Sequence, residues 1–426
     1  MAPDRNDALT SEEREALMER PRLRRDLPLV AQSPRHRRLP LAPSSREIDR
    51  NARPIYAVWE ITLACDLACR HCGSRAARAR PDELTTAECL ELVDQLAELG
   101  VREVSLIGGE AYLRADWCDI IRRIVERGMS ALLTTGGRGL TPELARDAAA
   151  AGLGTASVSI DGNEATHDRL RGVKGSHAAA LSAMRNLRDA GIPISANTQI
   201  NRLSMPELSD VLETIIRNGA HSWQIQITVA MGRAADEPEM LLQPYDLLTL
   251  FPLLGELKQR CTDAHLVLWP GNNIGYFGPF ETALRGTMAR GHGGSCSAGV
   301  SGLGIESDGT IKGCPSLATA TWAAGNVREH RLVELWERAA PLRTIRDRTL
   351  ESLWGYCRTC YYAEQCMAGC TWTSEALFGK PGNNPLCHHR ALEHARLGKR
   401  ERFVQIAEAP GEPFDQGRFE LIVEDV

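Results

Sequence analysis

Three cysteines in the first part of the chain have a spacing that is typical of metal binding. They are Cys65, Cys69 and Cys72, in the segment CDLACRHC with the pattern C-x3-C-x2-C. A structural zinc ion takes four ligands, commonly from C-x2-C pairs, and His71 is strained as a fourth ligand because it adjoins Cys72. Compact runs of cysteines also hold iron–sulfur clusters. Three ligands would leave one iron of a four-iron cluster open to another molecule, and we favour this reading over zinc or simple packing.

A second and larger set of cysteines lies toward the C-terminus. Seven of the thirteen cysteines fall between residues 296 and 387, and the densest stretch, CRTCYYAEQCMAGC, has the pattern C-x2-C-x5-C-x3-C. Zinc knuckles or disulfides are the alternatives for such a set. The three thiols upstream favour cluster chemistry here as well. The seven residues are Cys296, Cys314, Cys357, Cys360, Cys366, Cys370 and Cys387.

The composition excludes several classes of protein. The 426 residues are 43% hydrophobic and 25% charged, as in soluble globular proteins of more than one domain. The net charge of -5 gives no general support for nucleic acid binding, and no uncharged apolar run is long enough for a membrane span. The N-terminus has no apolar core and the number of cysteines is odd. These features favour a reducing, cytoplasmic location over a secreted disulfide protein.

The elements that must position the first cysteines alternate between two kinds. Short strand-like runs from AVWEIT to WQIQIT are separated by amphipathic helices, and each helix ends at a glycine before the next strand. Six such units predict an α/β fold with a parallel sheet covered by helices. The periodicity fits an open doubly wound sheet as well as a partial barrel. The glycines are Gly100, Gly128, Gly152, Gly191 and Gly219.

Shifts in composition divide the chain into five predicted segments. The first is a basic arm, with seven arginines against one acid between Arg20 and Pro40. We expect it to be partly disordered, although a dock for an acidic partner is an alternative. The end of the chain, RFELIVEDV, alternates like an edge strand. The segments are the arm (1–53), the βα core (54–232), bridging helices and loops without strong strands (233–295), a cysteine-rich domain (296–400) and a C-terminal tail (401–426).

The first cysteine motif, placed after the first strand of a βα repeat, resembles the radical S-adenosylmethionine (SAM) superfamily. The resemblance implies a partial (β/α)6 barrel and a [4Fe-4S] cluster whose open iron binds SAM. Reductive cleavage of SAM would then give a 5′-deoxyadenosyl radical that abstracts hydrogen. It also implies that Gly108, Gly109 and Glu110 bind SAM, with Glu110 at its ammonium group, and that His71 contacts the adenine.

A second match follows the fourth strand, where SIDG precedes HDRLR. In related maturases this pattern implies that Ser159 and Arg171 lie near the carboxylate of SAM. The residues alone allow another reading, in which Asp161 caps a helix and Arg171 lies at the surface. Thr135 and Gln199, at other strand ends, are either ribose or substrate contacts or polar residues satisfied locally.

The second cysteine set, together with GNVREHRLVELW, resembles the SPASM domain of radical SAM enzymes that modify peptides and proteins. The resemblance implies two auxiliary [4Fe-4S] clusters and therefore three clusters in all. The inner one would have an open iron or a non-cysteine ligand, for which His292 is a candidate, although a loop histidine is more often solvated. The implied ligands are Cys296, Cys314 and Cys370 for the inner cluster, and Cys357, Cys360, Cys366 and Cys387 for the outer cluster.

The expected function is radical modification of a ribosomally synthesised peptide by an oxidoreductase, giving a crosslink, an oxidised residue or an epimer. Segments such as LWPGNNIGYFGP resemble the maturases associated with short GDL-motif peptides. The expected partners are a peptide encoded nearby and a one-electron donor such as flavodoxin or ferredoxin. The alternatives are oxidation of Cys or Ser in a larger protein, as in sulfatase maturation, and a radical SAM enzyme acting on a small molecule. An electron carrier without chemistry would have no need for Glu110 or the SIDG loop.

Overall fold

The computed structural model describes residues 39–286 and 296–426. Most of the predicted basic arm lies outside the described residues, and so does His292. The described end of the arm packs on the cysteine-rich region, because the buried carboxylate of Asp49 pairs with Arg343 at 3.3 Å and with Arg346 at 3.4 Å. None of the helices within the described ranges is long and apolar enough to cross a membrane.

One large sheet forms the centre of the molecule. Its strands are β1 Tyr56–Glu60, β2 Glu103–Ile107, β3 Ser130–Thr135, β4 Thr155–Ser159, β5 Ile194–Ile200, β6 Ser222–Ile227, β7 Val267–Pro270, β8 Gly302–Ile305, β9 Thr310–Lys312 and β10 Gly325–Asn326. The order across the sheet is β10-β9-β8-β1-β2-β3-β4-β5-β6-β7. In the run β8-β1-β2-β3-β4-β5-β6-β7 all neighbouring strands are parallel. Strand β9 pairs antiparallel with both β8 and β10.

This strand order decides between the two architectures. Strands β1 to β6 lie side by side in chain order, whereas a doubly wound sheet reverses direction at a switch point. Right-handed crossovers in one direction place the helices on one face, as in a (β/α) barrel. Because β7 and β10 are separate edges of the sheet, the barrel is open. The fold is the partial barrel of the radical SAM type.

The helices of the repeat end where the sequence predicts, at the five glycines. The first of them, α2 (Thr86–Leu99), starts with a capping box between Thr85 and Glu88. The five glycines after the helices all have positive φ, between 75° and 97°, which closes each helix. The helices up to β7 are α1 Glu47–Asn51, α2 Thr86–Leu99, α3 Trp117–Glu126, α4 Pro142–Ala151, α5 Glu164–Arg171, α6 Ser176–Asp189, α7 Leu208–Arg217 and α8 Leu247–Asp263.

The bridging segment contributes a strand that the sequence analysis did not predict. Strand β7 pairs with β6 at the edge of the sheet. It has only four residues, ends in Pro270, and leaves Val267 and Trp269 exposed. So short an edge strand carries little of the apolar alternation by which strands are recognised.

The cysteine-rich region continues the same sheet and then forms short helices. Strand β8 pairs with β1, so this region is joined directly to the βα core. The segment RFELIVEDV contributes strand β12 (Arg418–Asp425), which pairs with β11 (Lys399–Ala407), so the predicted boundary at residue 400 falls inside β11. The remaining elements are α9 Glu281–Arg285, α10 Thr319–Trp322, α11 Leu332–Arg338, α12 Ala340–Arg343, α13 Tyr356–Thr359, α14 Ala363–Cys366, α15 Thr371–Phe378, α16 His388–Arg396, β11 Lys399–Ala407 and β12 Arg418–Asp425.

Candidate active site

The first three cysteines lie on the loop after β1, at the carboxyl end of the sheet, and their thiols are free. Burial raises the pKa of the Cys65 thiol to about 12, and the nearby Glu110, Cys69 and Cys72 add to the rise. Burial and the proximity of Cys72 raise the pKa of Cys69 to about 11, against the opposing charge of Arg171. Buried thiols that oppose one another's ionisation need a cationic centre to become thiolates. This donor set fits an iron–sulfur cluster.

Two glycines after β2 bring the next loop against the cysteine loop. The amide of Gly109 donates to the carbonyl of Thr62, and the amide of Glu110 donates to that of Ala64, both at 2.8 Å. A Cβ at Gly108 would collide with the carbonyl oxygen of Thr62, and one at Gly109 would collide with Ala64. Only glycine permits this approach, which brings Glu110 beside the thiols.

Glu110 is a buried carboxyl within this pair of loops. It accepts hydrogen bonds from the Thr135 hydroxyl and from the Gly136 amide, the latter at 2.6 Å. Its oxygen, the Cys65 sulfur and an Asp66 oxygen lie within 4.8 Å of one another. Burial raises the pKa of Glu110 to about 7. A bound ammonium group would favour the ionised form, and the side chain of Thr135 is used in holding Glu110.

The SIDG loop contributes a buried ion pair beside the same thiols. Arg171 lies 2.5 Å from the carboxylate of Asp161 and donates to the sulfur of Cys69 at 3.6 Å. Asp161 also accepts from the amide of Gln199 at 2.8 Å, whereas the N-cap of α5 is Asn163. The reading of Asp161 as a helix cap and Arg171 as a surface residue is therefore wrong.

Two predicted SAM contacts flank this ion pair. Ser159 is buried at the end of β4. The His71 ring lies 3.7 Å from Asp161, and burial lowers its pKa to about 4, so the ring is neutral at physiological pH. The Nε of Arg171 is buried without a hydrogen-bond partner within the described ranges. This guanidinium retains a donor for an anionic group such as a carboxylate.

A cavity of about 450 Å³ lies inside the partial barrel. His71 and Gly108 line it beside the first cysteines, and Ser297 and Cys314 line it from the cysteine-rich region. Phe414, from the loop between β11 and β12, also lines it, and its amide donates to the carbonyl of Gly73 at 2.9 Å. The cavity therefore extends from residues adjacent to the first cysteines to Cys314 of the second set.

Amide side chains from two neighbouring strands line one wall of the cavity. Asn197 pairs in register with Gln224, and Gln199 with Gln226. Residues two apart on a strand point to the same face. The Oδ1 of Asn197 is buried without a hydrogen-bond partner among the residues described. This wall, here called the amide wall, offers donors and acceptors to a neutral polar ligand.

Acidic side chains line another part of the cavity. Glu60 and Glu306 both reach it, and both are buried. Glu306 is paired with Lys312 at 2.8 Å and with Arg80 at 2.9 Å, which lowers its pKa despite burial. Glu60 is 3.5 Å from Arg80, and burial raises its pKa to about 8. No lysine or arginine of the described residues lines the cavity.

Thiols of the second cysteine set that raise one another's pKa belong to the same predicted group, and the assignment of these groups to two clusters stays a prediction. In the inner group, burial raises the pKa of Cys370 to about 12, and the neighbouring thiols of Cys296 and Cys314 add to the rise. Cys366 belongs to the outer group, where burial and its fellow thiols raise its pKa. Tyr276 lies between them, because its hydroxyl accepts from the Cys370 amide at 3.0 Å and its carbonyl lies 3.8 Å from a thiol of the outer group. The outer thiols, which line a second small cavity, are Cys357, Cys360, Cys366 and Cys387.

Comparison with known proteins identifies the family. The model of the radical SAM superfamily matches residues 59–217, and that of the SPASM iron–sulfur cluster-binding domain matches residues 296–361. An AdoMet-dependent heme synthase from Methanosarcina barkeri is 31% identical over 348 residues, which cover 79% of this chain and 97% of the relative. This chain belongs to the radical SAM superfamily. It is therefore an enzyme, and its two domains imply SAM and [4Fe-4S] clusters.

Other radical SAM proteins share this architecture. Mycofactocin maturase MftC from Mycolicibacterium smegmatis is 28% identical over 346 residues, covering 78% of this chain and 82% of that protein. SuiB from Streptococcus suis, solved with SAM, has a TM-score of 0.60 at 18% identity, covering 75% of this chain and 74% of SuiB. The structure of anSMEcpe with AdoMet has a TM-score of 0.61 at 16% identity, covering 81% and 97%. These two structures show the fold.

Several residues of this radical SAM site were missed by sequence reasoning. Tyr276 and the amide wall, apart from Gln199, depend on which distant segments pack together, and no local motif reports that packing. Glu60 could have been noticed from the sequence, because it is the one charged residue in the strand-like run AVWEIT. Cys89 and Cys261, which belong to neither cysteine set, are buried in the hydrophobic core.

Proposed function

We propose that this radical SAM enzyme modifies a ribosomally made peptide inside the cavity of the partial barrel. The observation that carries the proposal is the lining, which combines the amide wall with two carboxyl groups and holds no cation among the described residues. The proposal includes three clusters, held by the first, inner and outer cysteine groups. An external one-electron donor and a cytoplasmic location remain predictions.

The amide wall suits an extended peptide. Side-chain amides both donate and accept hydrogen bonds, as the peptide backbone does. Residues two apart on one strand are about 6.6 Å apart, which is also the backbone repeat of an extended peptide. Asn197 and Gln199 on β5, facing Gln224 and Gln226 on β6, can therefore contact successive peptide groups. Relatives named as peptide maturases, such as MftC, support this choice.

A second candidate substrate is a tetrapyrrole. It is favoured by the 31% identity to a heme synthase and by a 25% identical relative named Fe-coproporphyrin III synthase. A porphyrin with several carboxylates would need cationic partners. The described residues that line the cavity include no lysine or arginine that could meet such carboxylates. The absence of a cationic lining among these residues therefore supports the peptide over the tetrapyrrole.

The residues around the first cysteines would hold SAM in a fixed orientation. When bound there, the cluster and SAM supply a 5′-deoxyadenosyl radical that abstracts hydrogen. Glu110 would accept hydrogen bonds from the SAM ammonium, which favours its ionised form despite burial. Arg171 would meet the carboxylate beside Ser159, and the neutral His71 ring would contact the adenine. Phe414 lines the cavity and would help to keep water from the radical.

The test is an anaerobic competition between substrates. The reconstituted enzyme is incubated with SAM, a reductant and either the peptide from a short reading frame beside its gene or Fe-coproporphyrin III. Mass spectrometry should show loss of two hydrogens from the peptide for a crosslink or oxidation. An epimer would show no mass loss but would take up solvent deuterium. Conversion of the porphyrin with an unchanged peptide would overturn the proposal.

A further inference from the structure

A charged cluster borders the cavity at the ends of β1 and β8, away from the SAM contacts. Arg80 lies at its centre, 3.5 Å from Glu60, 2.9 Å from Glu306 and 3.4 Å from Asp308. Lys312, fully buried, is 2.8 Å from Glu306 and donates to the carbonyl of Leu317. Glu306 also accepts from the hydroxyl of Thr319. The cluster thus contains three carboxyl groups and two cations.

The three acids are not equivalent. Glu306 contacts both cations, whereas Glu60 has only Arg80 at the longer distance. The Oε1 of Glu60 is buried and has no hydrogen-bond partner within the part of the chain described. With two cations for three carboxyls, one negative charge is in excess whenever all are ionised, and Asp308 differs from Glu60 because it is only half-buried and accepts from the Thr310 amide at 2.9 Å. Glu60 lines the cavity, and binding of a proton to its carboxylate removes the excess negative charge.

We propose that Glu60 is the proton acceptor of the substrate cavity. The inference rests on the proposed function, because it assigns a step of peptide oxidation. It adds a catalytic residue from outside the cysteine motifs and the SAM contacts. The groups that face Glu60 and set its affinity for a proton are Arg80, Glu306, Asp308 and Lys312.

The step balances in hydrogens and electrons. One hydrogen atom leaves the peptide for the 5′-deoxyadenosyl radical, which leaves a carbon radical on the peptide. The second hydrogen leaves as a proton to the Glu60 carboxylate, and its electron passes to a one-electron acceptor of the iron–sulfur class. The product lacks two hydrogens and has a new bond or double bond. Cys314, from the inner group, lines the same cavity.

The environment makes Glu60 a stronger base than an exposed carboxylate. Burial raises its pKa to about 8, with Glu306 and Asp308 adding to the rise and Arg80 and Lys312 opposing it. A base whose pKa lies near the working pH is the most effective general base. The carboxylate form increases as the pH rises through about 8, so the oxidation step should become faster over the same range.

The test compares Glu60→Gln with the unaltered enzyme in anaerobic single turnovers with the peptide. The variant should still form 5′-deoxyadenosine, while the product lacking two hydrogens falls roughly 10²-fold or more. The rise in rate through about pH 8 should disappear. Glu306→Gln should instead keep the rise and move it to lower pH, because it removes a negative neighbour. Glu281→Gln is the matched control, because Glu281 is a half-buried acid that is 3.1 Å from Arg285 and does not line the cavity.

A second measurement requires neither clusters nor substrate. Infrared titration of the cluster-free protein should show a protonated carboxyl component that is lost only above about pH 8 and is missing from Glu60→Gln, whereas the component of Glu110, lost near pH 7, should remain in both proteins. Lack of the Glu60 component, or product formation by Glu60→Gln at the normal rate and pH dependence, overturns the inference. An enzyme that modifies no peptide would contradict the proposed function, and the infrared band would still report on Glu60.

Discussion

At the scale of single residues, charge is the main determinant of this site. Glu110 is a buried carboxyl that lies beside the thiol of Cys65, and burial raises its pKa to about 7. Arg171 is buried against Cys69 and Asp161 and keeps one donor without a partner in the described chain. A carboxylate that can bind a cation and a guanidinium that can bind an anion therefore lie around the same thiols. A ligand with both an ammonium and a carboxylate satisfies both.

Replacing Glu110 tests this arrangement. Glu110→Gln should weaken SAM binding roughly tenfold to hundredfold, because a hydrogen bond to a charged group contributes about 1.5–3 kcal/mol. Iron content should stay normal, since the thiols are unchanged. Calorimetry of SAM binding, with iron analysis, measures both, and Glu103→Gln on the exposed start of β2 is the control. Normal SAM affinity, or loss of iron, would argue against the assigned role.

At the scale of elements, the loops at the carboxyl ends of β1 and β2 must fit together. The spacing of Cys65, Cys69 and Cys72 is local and could be read from the sequence, as could the glycines that end the helices. Strand β8 and the contact of Glu60 with Arg80 could not be predicted from the sequence, because they depend on how segments distant in the chain pack together. The β11–β12 hairpin was half predicted, since β12 alternates clearly while β11 is mostly polar.

The glycine between these loops gives a test at this scale. Gly109→Ala places a methyl group against the backbone of Ala64 and the side chain of Cys65. We expect it to displace the first cysteine loop, so that iron bound by this group is lost while the SPASM domain keeps its iron.

Gly100→Ala is the control, because its φ of 93° carries backbone strain but the added Cβ has open space. Iron analysis and electron paramagnetic resonance distinguish the two variants. Equal iron content in both would contradict the need for close approach at Gly109.

At the scale of the whole molecule, one sheet supports two regions of cysteine chemistry. The first group follows β1, and β8, which precedes the inner Cys314, is the direct neighbour of β1. The cavity lies between these groups. Tyr276 links the inner to the outer group through its hydroxyl and its carbonyl. If the proposed function holds, this arrangement would place the substrate between the source of the radical and an acceptor of its electron.

Removing the first group should leave the others intact. Replacing Cys65, Cys69 and Cys72 together by Ala should lower the iron content from about 12 to about 8 per chain, at four irons per cluster. It should also abolish formation of 5′-deoxyadenosine, because the remaining thiols belong to another region. A triple variant that still cleaves SAM would show that the radical arises elsewhere.

The most direct test of the central claim follows the hydrogen atom itself. The enzyme is incubated anaerobically with SAM, a reductant and the neighbouring peptide carrying deuterium on its carbons. We predict that 5′-deoxyadenosine gains one deuterium for each peptide modified, and that Glu60→Gln leaves this transfer intact. Formation of 5′-deoxyadenosine without deuterium, while the peptide remains unchanged, would contradict the account.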